Sequence, residues 1–414
     1  MTRTVGSPVA IVYNGVCARR GGRYFHSESF AVLLRELSAE FGRVQYFGFF
    51  LDEGDPGLEH TCEAPLGGAN LELHVVRGNT SRTGSWAFCR NYVAALWRLG
   101  QFLPGTSQIV VFVPSFLSVA AALAAVALRK QVGLYIGGNW SEETQHRQLS
   151  PIQRVFYPVN RYAVDPLVRW IARRARFVIT PGYDSYTRLR SQVRRILLPA
   201  PLLRVTRNDI VTRRDTCSGP EIRVLFVGAL RVAKGVIDLV EAFARVRERI
   251  SGKRVILQLV GSGEAEPELR ERVAKLTLGD SVQLLGHVPN GSDLFALYRN
   301  ADVFALPTYS EGFPRSLYEA MTFAVPIVTT SVGGIPHLLE HGRHALLVRP
   351  GSRRALEDSM FSLCTDSGLR SRLIEHGRQL MRDVVYPRIE RDESLAKQIR
   401  HEFDLPQESK ELVA

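Results

Sequence analysis

Short apolar runs alternate with longer amphipathic stretches along most of this chain. The first run, 9–13, is followed by a loop with Gly21 and Gly22 and by a helical pattern from about 27 to 41. Later apolar runs predict further β-strands at 44–50, 71–75, 109–113, 132–136 and 177–179. Strands and helices that alternate at these lengths are typical of βαβ units, in which helices cover a parallel sheet.

The pattern restarts after a segment rich in proline and glycine, 198–220, which indicates a linker. A continuous apolar strand at 222–227 opens the second series, as expected for a strand buried on both faces of a parallel sheet. The other elements predicted in this series are helices at 236–250 and 266–276 and strands at 255–260, 282–285, 303–306 and 326–329.

The two series predict an α/β protein with two Rossmann-like, doubly wound domains that face each other across a cleft. A length of 414 residues also favours two domains over one core. The predicted boundaries are 1–200 for the N-terminal domain, 201–220 for the linker and 221–388 for the C-terminal domain. A last helix at about 389–403 is expected to pack back on the N-terminal domain.

One stretch, 109–128, is long and apolar enough to cross a bilayer, since its polar residues are Ser115 and Ser118 only. However, it begins with a β-branched run, continues with Pro114 and ends in an alanine-rich segment. This order favours a buried strand, a turn and a packed helix.

Cysteine usage indicates a reducing compartment. The five cysteines are scattered, with no CxxC pair and no nearby group of histidines, which fits neither a zinc site nor a disulfide framework. We therefore expect a cytoplasmic protein without a bound metal.

The charge is uneven along the chain. Net charge is +12, and the first 200 residues contain ten more basic than acidic residues. Such a positive charge attracts anionic lipids, polyphosphates or nucleic acid. The chain also uses arginine much more than lysine, so part of this charge can reflect an arginine-rich composition alone. Aromatic residues between Arg147 and Arg176 are candidates for a membrane-facing surface; they are Phe156, Tyr157, Tyr162 and Trp170.

Candidate chemistry lies directly after predicted strands of the second series. The loop after 222–227 contains Gly228, Arg231 and Lys234, and two cations before a helix are suited to phosphate. Glu311 and Glu319 lie eight positions apart after the strand 303–306, where carboxylates can accept hydrogen bonds from sugar hydroxyls. Gly333 and Gly334 follow the next strand and offer backbone amides at a helix start.

The ordered set of motifs resembles the retaining glycosyltransferases of family 4, which have the GT-B fold. The motifs in question are Arg231…Lys234-Gly, Gly261-Ser-Gly263-Glu, Glu311-Gly-Phe-Pro…Glu319-Ala and Gly333-Gly. The resemblance is close over 222–351 and looser over 1–200.

The resemblance implies a role for each matching residue. Arg231 and Lys234 would bind the donor diphosphate and stabilise the leaving nucleoside diphosphate. Glu311 would hold the donor sugar and Glu319 the ribose hydroxyls. The remaining donor-binding positions that it implies are Gly22, Gly228, Gly263, Gly312, Phe313, Gly333 and Gly334, with His287 and Val288 beside the nucleobase.

The implied activity is the retaining, metal-independent transfer of a hexose from a nucleotide-diphosphate sugar to a glycan or lipid-linked acceptor. Cell-surface polysaccharide or glycolipid synthesis in a bacterium is the expected setting, peripheral on the inner face of the membrane. No cofactor and no nucleic acid is expected. The chain has no Asp-x-Asp pair, so the metal-clamped alternative lacks its ligands.

Two departures from the family pattern leave alternatives open. The expected histidine of the N-terminal domain is absent, and Asn139, Trp140 and Glu142 are candidates for acceptor contacts instead. His337 replaces a glutamate, and it either contacts a donor hydroxyl or lines the helix. The alternatives are a catalytically degenerate partner subunit that binds sugar, and a nucleotide-sugar epimerase or a phosphorylase on the same architecture.

Overall fold

The computed structural model describes residues 8–55, 58, 62, 64–79, 85–113, 115–137, 164–201, 203 and 205–405. These residues form two mainly parallel sheets, each packed against helices on both faces. The two doubly wound domains expected from the sequence are therefore confirmed.

The first sheet has a parallel core, and two antiparallel strands extend from the end of its first strand. Its strands are β1 (Val9–Arg20), β2 (Arg23–His26), β3 (Val44–Asp52), β4 (Ala64–Leu66), β5 (Leu71–Arg77), β6 (Gln108–Val113), β7 (Gln131–Ile136), β8 (Phe177–Ile179) and β9 (Ile196–Leu197). The parallel strands follow the order β5-β3-β1-β6-β7-β8-β9, while β2 and β4 pair antiparallel.

Five described helices belong to this domain. They are α1 (Glu28–Phe41), α2 (Ser85–Phe102), α3 (Phe116–Ala127), α4 (Asp165–Arg174) and α5 (Tyr183–Leu189). The apolar stretch 109–128 forms β6 and α3, as its β-branched and alanine-rich halves predict. In the part of the chain that the structure describes, no helix combines the length and the apolar character needed to cross a bilayer.

The segment around Gly21 and Gly22 differs from the simple loop that the sequence predicts. After a bulge, β1 continues to Arg20, which pairs with Arg23 of β2. The φ angles of the two glycines are 53° and 76°, the backbone conformation of a tight two-residue hairpin turn. Gly22 consequently lies at the tip of a hairpin.

The second sheet is wholly parallel. Its strands are β10 (Glu221–Val227), β11 (Arg254–Val260), β12 (Val282–Gly286), β13 (Val303–Leu306), β14 (Ile327–Thr330) and β15 (Leu346–Val348). They follow the order β12-β11-β10-β13-β14-β15, so the direction of winding reverses between β10 and β13. Ligands of doubly wound sheets bind at such a reversal, beyond the carboxyl ends of the strands.

The described helices after β10 pack on this sheet, except for the last, which lies on the first domain. They are α6 (Val236–Arg249), α7 (Glu266–Lys275), α8 (Ser292–Asn300), α9 (Arg315–Thr322), α10 (Ile335–Leu338), α11 (Arg353–Thr365), α12 (Ser367–Leu380), α13 (Tyr386–Arg391) and α14 (Leu395–Asp404). The apolar positions of α6 recur every three or four residues and are buried, as for an amphipathic helix on a sheet.

The last helix, α14, returns to the N-terminal domain. Ile399 and Phe403 join the apolar core beneath α1, and the ring centroids of Phe403 and Phe41 are 6.1 Å apart. Arg176, just before β8, donates a hydrogen bond to the backbone oxygen of Glu402 at 2.7 Å. These contacts attach the end of the chain to the first sheet.

The segment between the two sheets packs mainly on the C-terminal domain. Val205 and Cys217 are buried in its core, and Arg213 donates to the backbone oxygen of Ala301 at 2.8 Å. The division into 1–200, 201–220 and 221–388 stays a prediction.

Candidate active site

Arg231 and Lys234 lie beyond the carboxyl end of β10, on a 3₁₀ turn that leads into α6. Gly235 ends this turn with a φ of 68°, and a Cβ there would lie 2.0 Å from the backbone oxygen of Pro307. Only glycine fits such a backbone approach. The turn with both cations is therefore packed directly on the loop after β13.

That loop provides Glu311, and the Lys234 ammonium forms an ion pair with its carboxylate. The side chains are 23% and 16% exposed, so the pair is partly shielded from water. The two residues are 77 positions apart in the sequence and meet at the point where the sheet reverses its winding. The predicted phosphate-binding and sugar-binding residues thus share one site.

Residues not foreseen from the sequence hold this turn in place. Tyr309 donates its backbone N–H to the Ala233 oxygen at 2.8 Å, and its hydroxyl donates to Asp238 at the start of α6. Arg353 also donates to Asp238, at 2.6 Å. Burial, followed by the bond to Asp238, raises the pKa of Tyr309 to about 12, so its hydroxyl keeps the proton that it donates.

The loops after β13 and β14 pack together through glycine backbones. Gly333 has a φ of 51°, and a Cβ there would lie 1.7 Å from the Glu311 oxygen. A Cβ at Gly334 would lie 1.9 Å from the Gly312 oxygen. These contacts hold the backbone of Glu311 and Gly312 against the start of α10. Phe313, the next residue, is half-buried against the core.

Glu319 lies on α9, behind Glu311, and is only 5% exposed. The hydroxyl of the fully buried Tyr298 donates a hydrogen bond to its Oε2 at 2.8 Å. Burial, followed by the nearby Glu319 charge, raises the pKa of Tyr298 well above its usual value. The tyrosine therefore stays protonated and orients the carboxylate.

A third group of loops follows β10, β11 and β12. A Cβ at Gly261 would lie 1.9 Å from the Gly228 oxygen, and one at Gly263 would lie 2.4 Å from the Leu230 oxygen. The Gly261 N–H also donates to Gly286 at 2.8 Å, which draws the loops of neighbouring strands together. Next along the chain are the exposed His287 and the half-buried Val288. Arg231 faces Glu264 on this side, with 3.9 Å from Nε to Oε2.

Gly182, after β8, brings the N-terminal domain to this site. The Gly312 Cα lies 3.3 Å from where a Cβ of Gly182 would be. A second contact joins the domains at the start of α1, where Arg315 donates to the Ser29 hydroxyl at 3.2 Å. A third is the 2.6 Å hydrogen bond from Arg388 to the hydroxyl of Tyr183. The carboxyl edges of both sheets therefore face each other, as predicted for a cleft.

Five other candidate positions remain. Gly22, at its hairpin tip, has open space where a Cβ would be, and its role stays a prediction. His337 is exposed on α10. Asn139, Trp140 and Glu142 lie outside the described residues. Within the described ranges, no group of three histidine, cysteine or acidic side chains is arranged to hold a metal ion.

His26 lies one residue before the N-cap of α1 and is 5% exposed. Its ring centroid is 5.6 Å from that of Tyr13, whose ring is in turn 5.0 Å from that of Phe112 at the end of β6. The Ser27 N–H donates to Nδ1 at 2.7 Å. Burial lowers the pKa of His26 to about 4, so the imidazole is neutral at neutral pH.

We expect His26 to make folding stability sensitive to acid. An unfolded histidine has a pKa near 6.5, so between about pH 6.5 and 4 the unfolded chain gains a proton that the folded chain resists. The free energy of unfolding should therefore fall as pH falls, by about 2–3 kcal/mol from this group between pH 7 and pH 4.5. His26→Asn keeps an acceptor for Ser27 and should lose less stability over this interval in urea unfolding. If the free energy of unfolding depends on pH equally in the wild type and in His26→Asn, His26 is not the source of the acid sensitivity. His401→Asn, at an exposed position, is the control and should behave like the wild type.

Solved structures of one fold class match most of the chain. The chain is similar to sucrose-phosphate synthase from Thermosynechococcus elongatus, with 19% identity, a TM-score of 0.63 and coverage of 96% of this chain and 98% of that one. It is also similar to Anabaena Alr3699/HepE in complex with UDP and glucose, with 19% identity, a TM-score of 0.59 and coverage of 93% and 97%. The protein has the GT-B fold, as the sequence predicts.

Sequence relationships concern the C-terminal domain. Residues 213–380 match the family described as glycosyl transferases group 1. The chain is 32% identical to the capsular polysaccharide biosynthesis glycosyltransferase CapM of Staphylococcus aureus over 155 residues. This segment is 37% of this chain and 40% of CapM. Over this region the chain is similar to the group 1 glycosyl transferases, as the order of its motifs predicts. The match spans about two fifths of the length of the curated relatives.

Proposed function

We propose that this protein is a retaining glycosyltransferase that transfers a hexose from a nucleotide-diphosphate sugar to a glycan or lipid-linked acceptor. The observation that supports this best is the ion pair of Lys234 with Glu311 at the reversal of the second sheet. A cation suited to diphosphate and a carboxylate suited to sugar hydroxyls lie there side by side, where the loops after β13 and β14 pack together through glycine backbones.

The donor would bind across the ends of β10–β14. Its diphosphate would replace Glu311 as the partner of Lys234, with Arg231 as the second cation. Glu311 would then accept hydrogen bonds from the sugar, and Glu319, oriented by Tyr298, would accept them from the ribose. The base would lie beside His287 and Val288. Because HepE was solved with UDP and glucose, UDP-hexoses are the first donors to test.

The proposed reaction places new charge where the fixed cations lie. The bond from the sugar C1 to the diphosphate oxygen breaks while the acceptor oxygen bonds to C1 on the same face. Negative charge develops on the diphosphate as this bond breaks, and the acceptor proton then passes to one of its phosphate oxygens, so that the nucleoside diphosphate leaves in protonated form. Lys234 and Arg231 can stabilise that charge without rearranging, since the turn that holds them is braced by Tyr309 and Asp238.

The acceptor would bind from the N-terminal domain, near Gly182 and the start of α1, where the two sheets face each other. CapM functions in capsular polysaccharide biosynthesis, and we propose a comparable role in cell-surface polysaccharide or glycolipid synthesis. The basic N-terminal domain would bring the enzyme to an anionic membrane surface.

A donor screen tests the proposal. Purified protein is mixed with UDP-, GDP-, ADP- and dTDP-hexoses without added metal, and both melting temperature and slow donor hydrolysis are measured. One donor class should raise the melting temperature, because a ligand that binds only the folded state stabilises it. Glu319→Gln keeps an acceptor for the Tyr298 hydroxyl but loses the charge, and it should show a smaller shift.

The matched control is Glu248→Gln, an exposed side chain on α6, which should behave like the wild type. The enzyme assignment would be refuted if no donor is hydrolysed and if neither the donors nor UDP alone raise the melting temperature. That outcome would favour the degenerate partner subunit instead.

A further inference from the structure

Large apolar side chains are exposed along α2 of the N-terminal domain. Trp86 is 78% exposed, Val93 65% and Trp97 64%. With 3.6 residues per turn, positions 86, 93 and 97 lie within a narrow strip on one side of the helix. The opposite side is buried in the core through Ala95 and Leu99. The strip therefore faces away from the protein, where apolar patches mark interaction sites.

Neighbouring helices extend this surface. Leu117 of α3 and Ile171 of α4 share the same core cluster with Ala95 of α2, so the three helices cover one face of the sheet. Phe116, the first residue of α3, is 44% exposed, and Trp170 of α4 is 40% exposed. We call the six side chains Trp86, Val93, Trp97, Phe116, Trp170 and Arg90 the α2 surface.

The charges on these helices are mainly positive. α2 and α3 contain no acidic residue, and α4 contains only Asp165. Their basic residues are Arg90, Arg98, Arg169, Arg173 and Arg174. The Arg174 guanidinium lies 3.8 Å from the ring centroid of Trp170, and that of Arg90 lies 5.7 Å from Trp86. Apolar side chains are thus interleaved with arginines.

This combination matches the interface of an anionic bilayer. Indole rings prefer the headgroup level, arginines bind lipid phosphates, and aliphatic side chains enter the acyl boundary. A nucleic acid would use the arginines and the rings but has no apolar phase for Val93. Two copies of this chain would bring like charges together.

We infer that the α2 surface docks the protein on the headgroup region of an anionic lipid bilayer. The inference deepens the proposed function, because it names the membrane-facing residues for a lipid-linked acceptor. α2 and α3 both begin after the carboxyl ends of parallel strands, β5 and β6, so Trp86 and Phe116 lie towards the cleft edge of the sheet. Docking there places lipid headgroups next to the proposed acceptor site.

Vesicle binding of the full-length protein tests the inference. Vesicles of phosphatidylcholine alone and of phosphatidylcholine with 30% phosphatidylglycerol are sedimented without any donor. The wild type should bind the anionic vesicles at least about tenfold more tightly, and added salt should weaken this binding. Trp86→Ser/Trp97→Ser should bind them at least about tenfold more weakly, because the buried indole area is lost.

Two single substitutions provide a matched pair. Val93→Ser removes an apolar side chain from the α2 surface, while Val384→Ser removes the same side chain from the C-terminal domain, where Val384 is 50% exposed. Only Val93→Ser should weaken vesicle binding. Arg90→Glu should also weaken it, and this variant keeps the test valid if the double variant fails to fold.

Donor hydrolysis by the same variants, measured without vesicles, separates the two proposals. Unchanged hydrolysis with weakened vesicle binding supports the docking surface. Equal binding of wild type and variants, binding without a preference for anionic lipid, or tight binding to single-stranded DNA with no vesicle binding would overturn it. Those outcomes would leave the glycosyltransferase proposal standing, since its own test is the donor screen.

Discussion

Substitution of Lys234 by alanine is expected to lower kcat by about 10²–10³-fold, by analogy with the loss of one oxyanion-hole donor. The ammonium lies on a turn that Gly235, Tyr309 and Asp238 hold in place, so the backbone would not need to move when the donor diphosphate replaces Glu311 as its partner. Because charge on the diphosphate grows as the sugar departs, the loss should affect kcat more than donor KM. Initial rates with the donor found in the screen provide the measurement.

A matched control separates this effect from a general loss of charge. Lys275→Ala removes a lysine from an exposed helical pair with Glu271 and should leave kcat unchanged. Lys234→Ala also leaves Glu311 without its lysine, so melting temperatures must be compared before rates are interpreted. A kcat within twofold of the wild type in a folded Lys234→Ala protein would exclude this lysine from leaving-group stabilisation.

Gly333→Ala is expected to lower the free energy of unfolding by about 3 kcal/mol or more. Its φ of 51° is unfavourable for any residue with a Cβ, and the new carbon would lie 1.7 Å from the Glu311 oxygen. That atom belongs to backbone and cannot rotate away, so the loop after β13 or the start of α10 must move. Activity should fall as well, since the movement displaces Glu311.

Thermal unfolding provides the measurement, with an expected decrease of roughly 6–12 °C for a domain of this size. Gly279→Ala is the matched control, because a Cβ there meets no atom within 4 Å. Similar melting temperatures for Gly333→Ala and Gly279→Ala would show that the two loops are not packed as the structure describes.

Local sequence patterns predicted most of the strands in both sheets. Strands such as β8 and β13 were predicted to the residue, because short apolar runs between polar turns leave little choice of conformation. The β1–β2 hairpin was missed although Gly21-Gly22 is a recognised two-residue turn signal. The sequence pattern predicts a loop before a helix at these glycines and gives no separate prediction for the four residues of β2 that precede α1.

The sequence predicts candidate residues for the site but not the contacts between them. Strand ends identified Lys234 and Glu311 separately, yet their ion pair depends on the order of strands across the sheet. Asp238 and Tyr298 were not foreseen, since an acid on an amphipathic helix and a tyrosine in a core have no local signature. Gly182 has no local signature either, since the partner that reveals its role, Gly312, belongs to the other domain.

The close approach of Gly182, Gly312 and Gly334 affects how such a protein can diversify. At this point the domains meet backbone against backbone, with Gly182 next to Gly312 and Gly312 next to Gly334. Substitution of an exposed side chain elsewhere on these loops, such as His287 or His337, would not disturb this backbone contact. A side chain at Gly334 would push the loops apart, whereas exchanges at the exposed positions around it leave the junction between the domains in place.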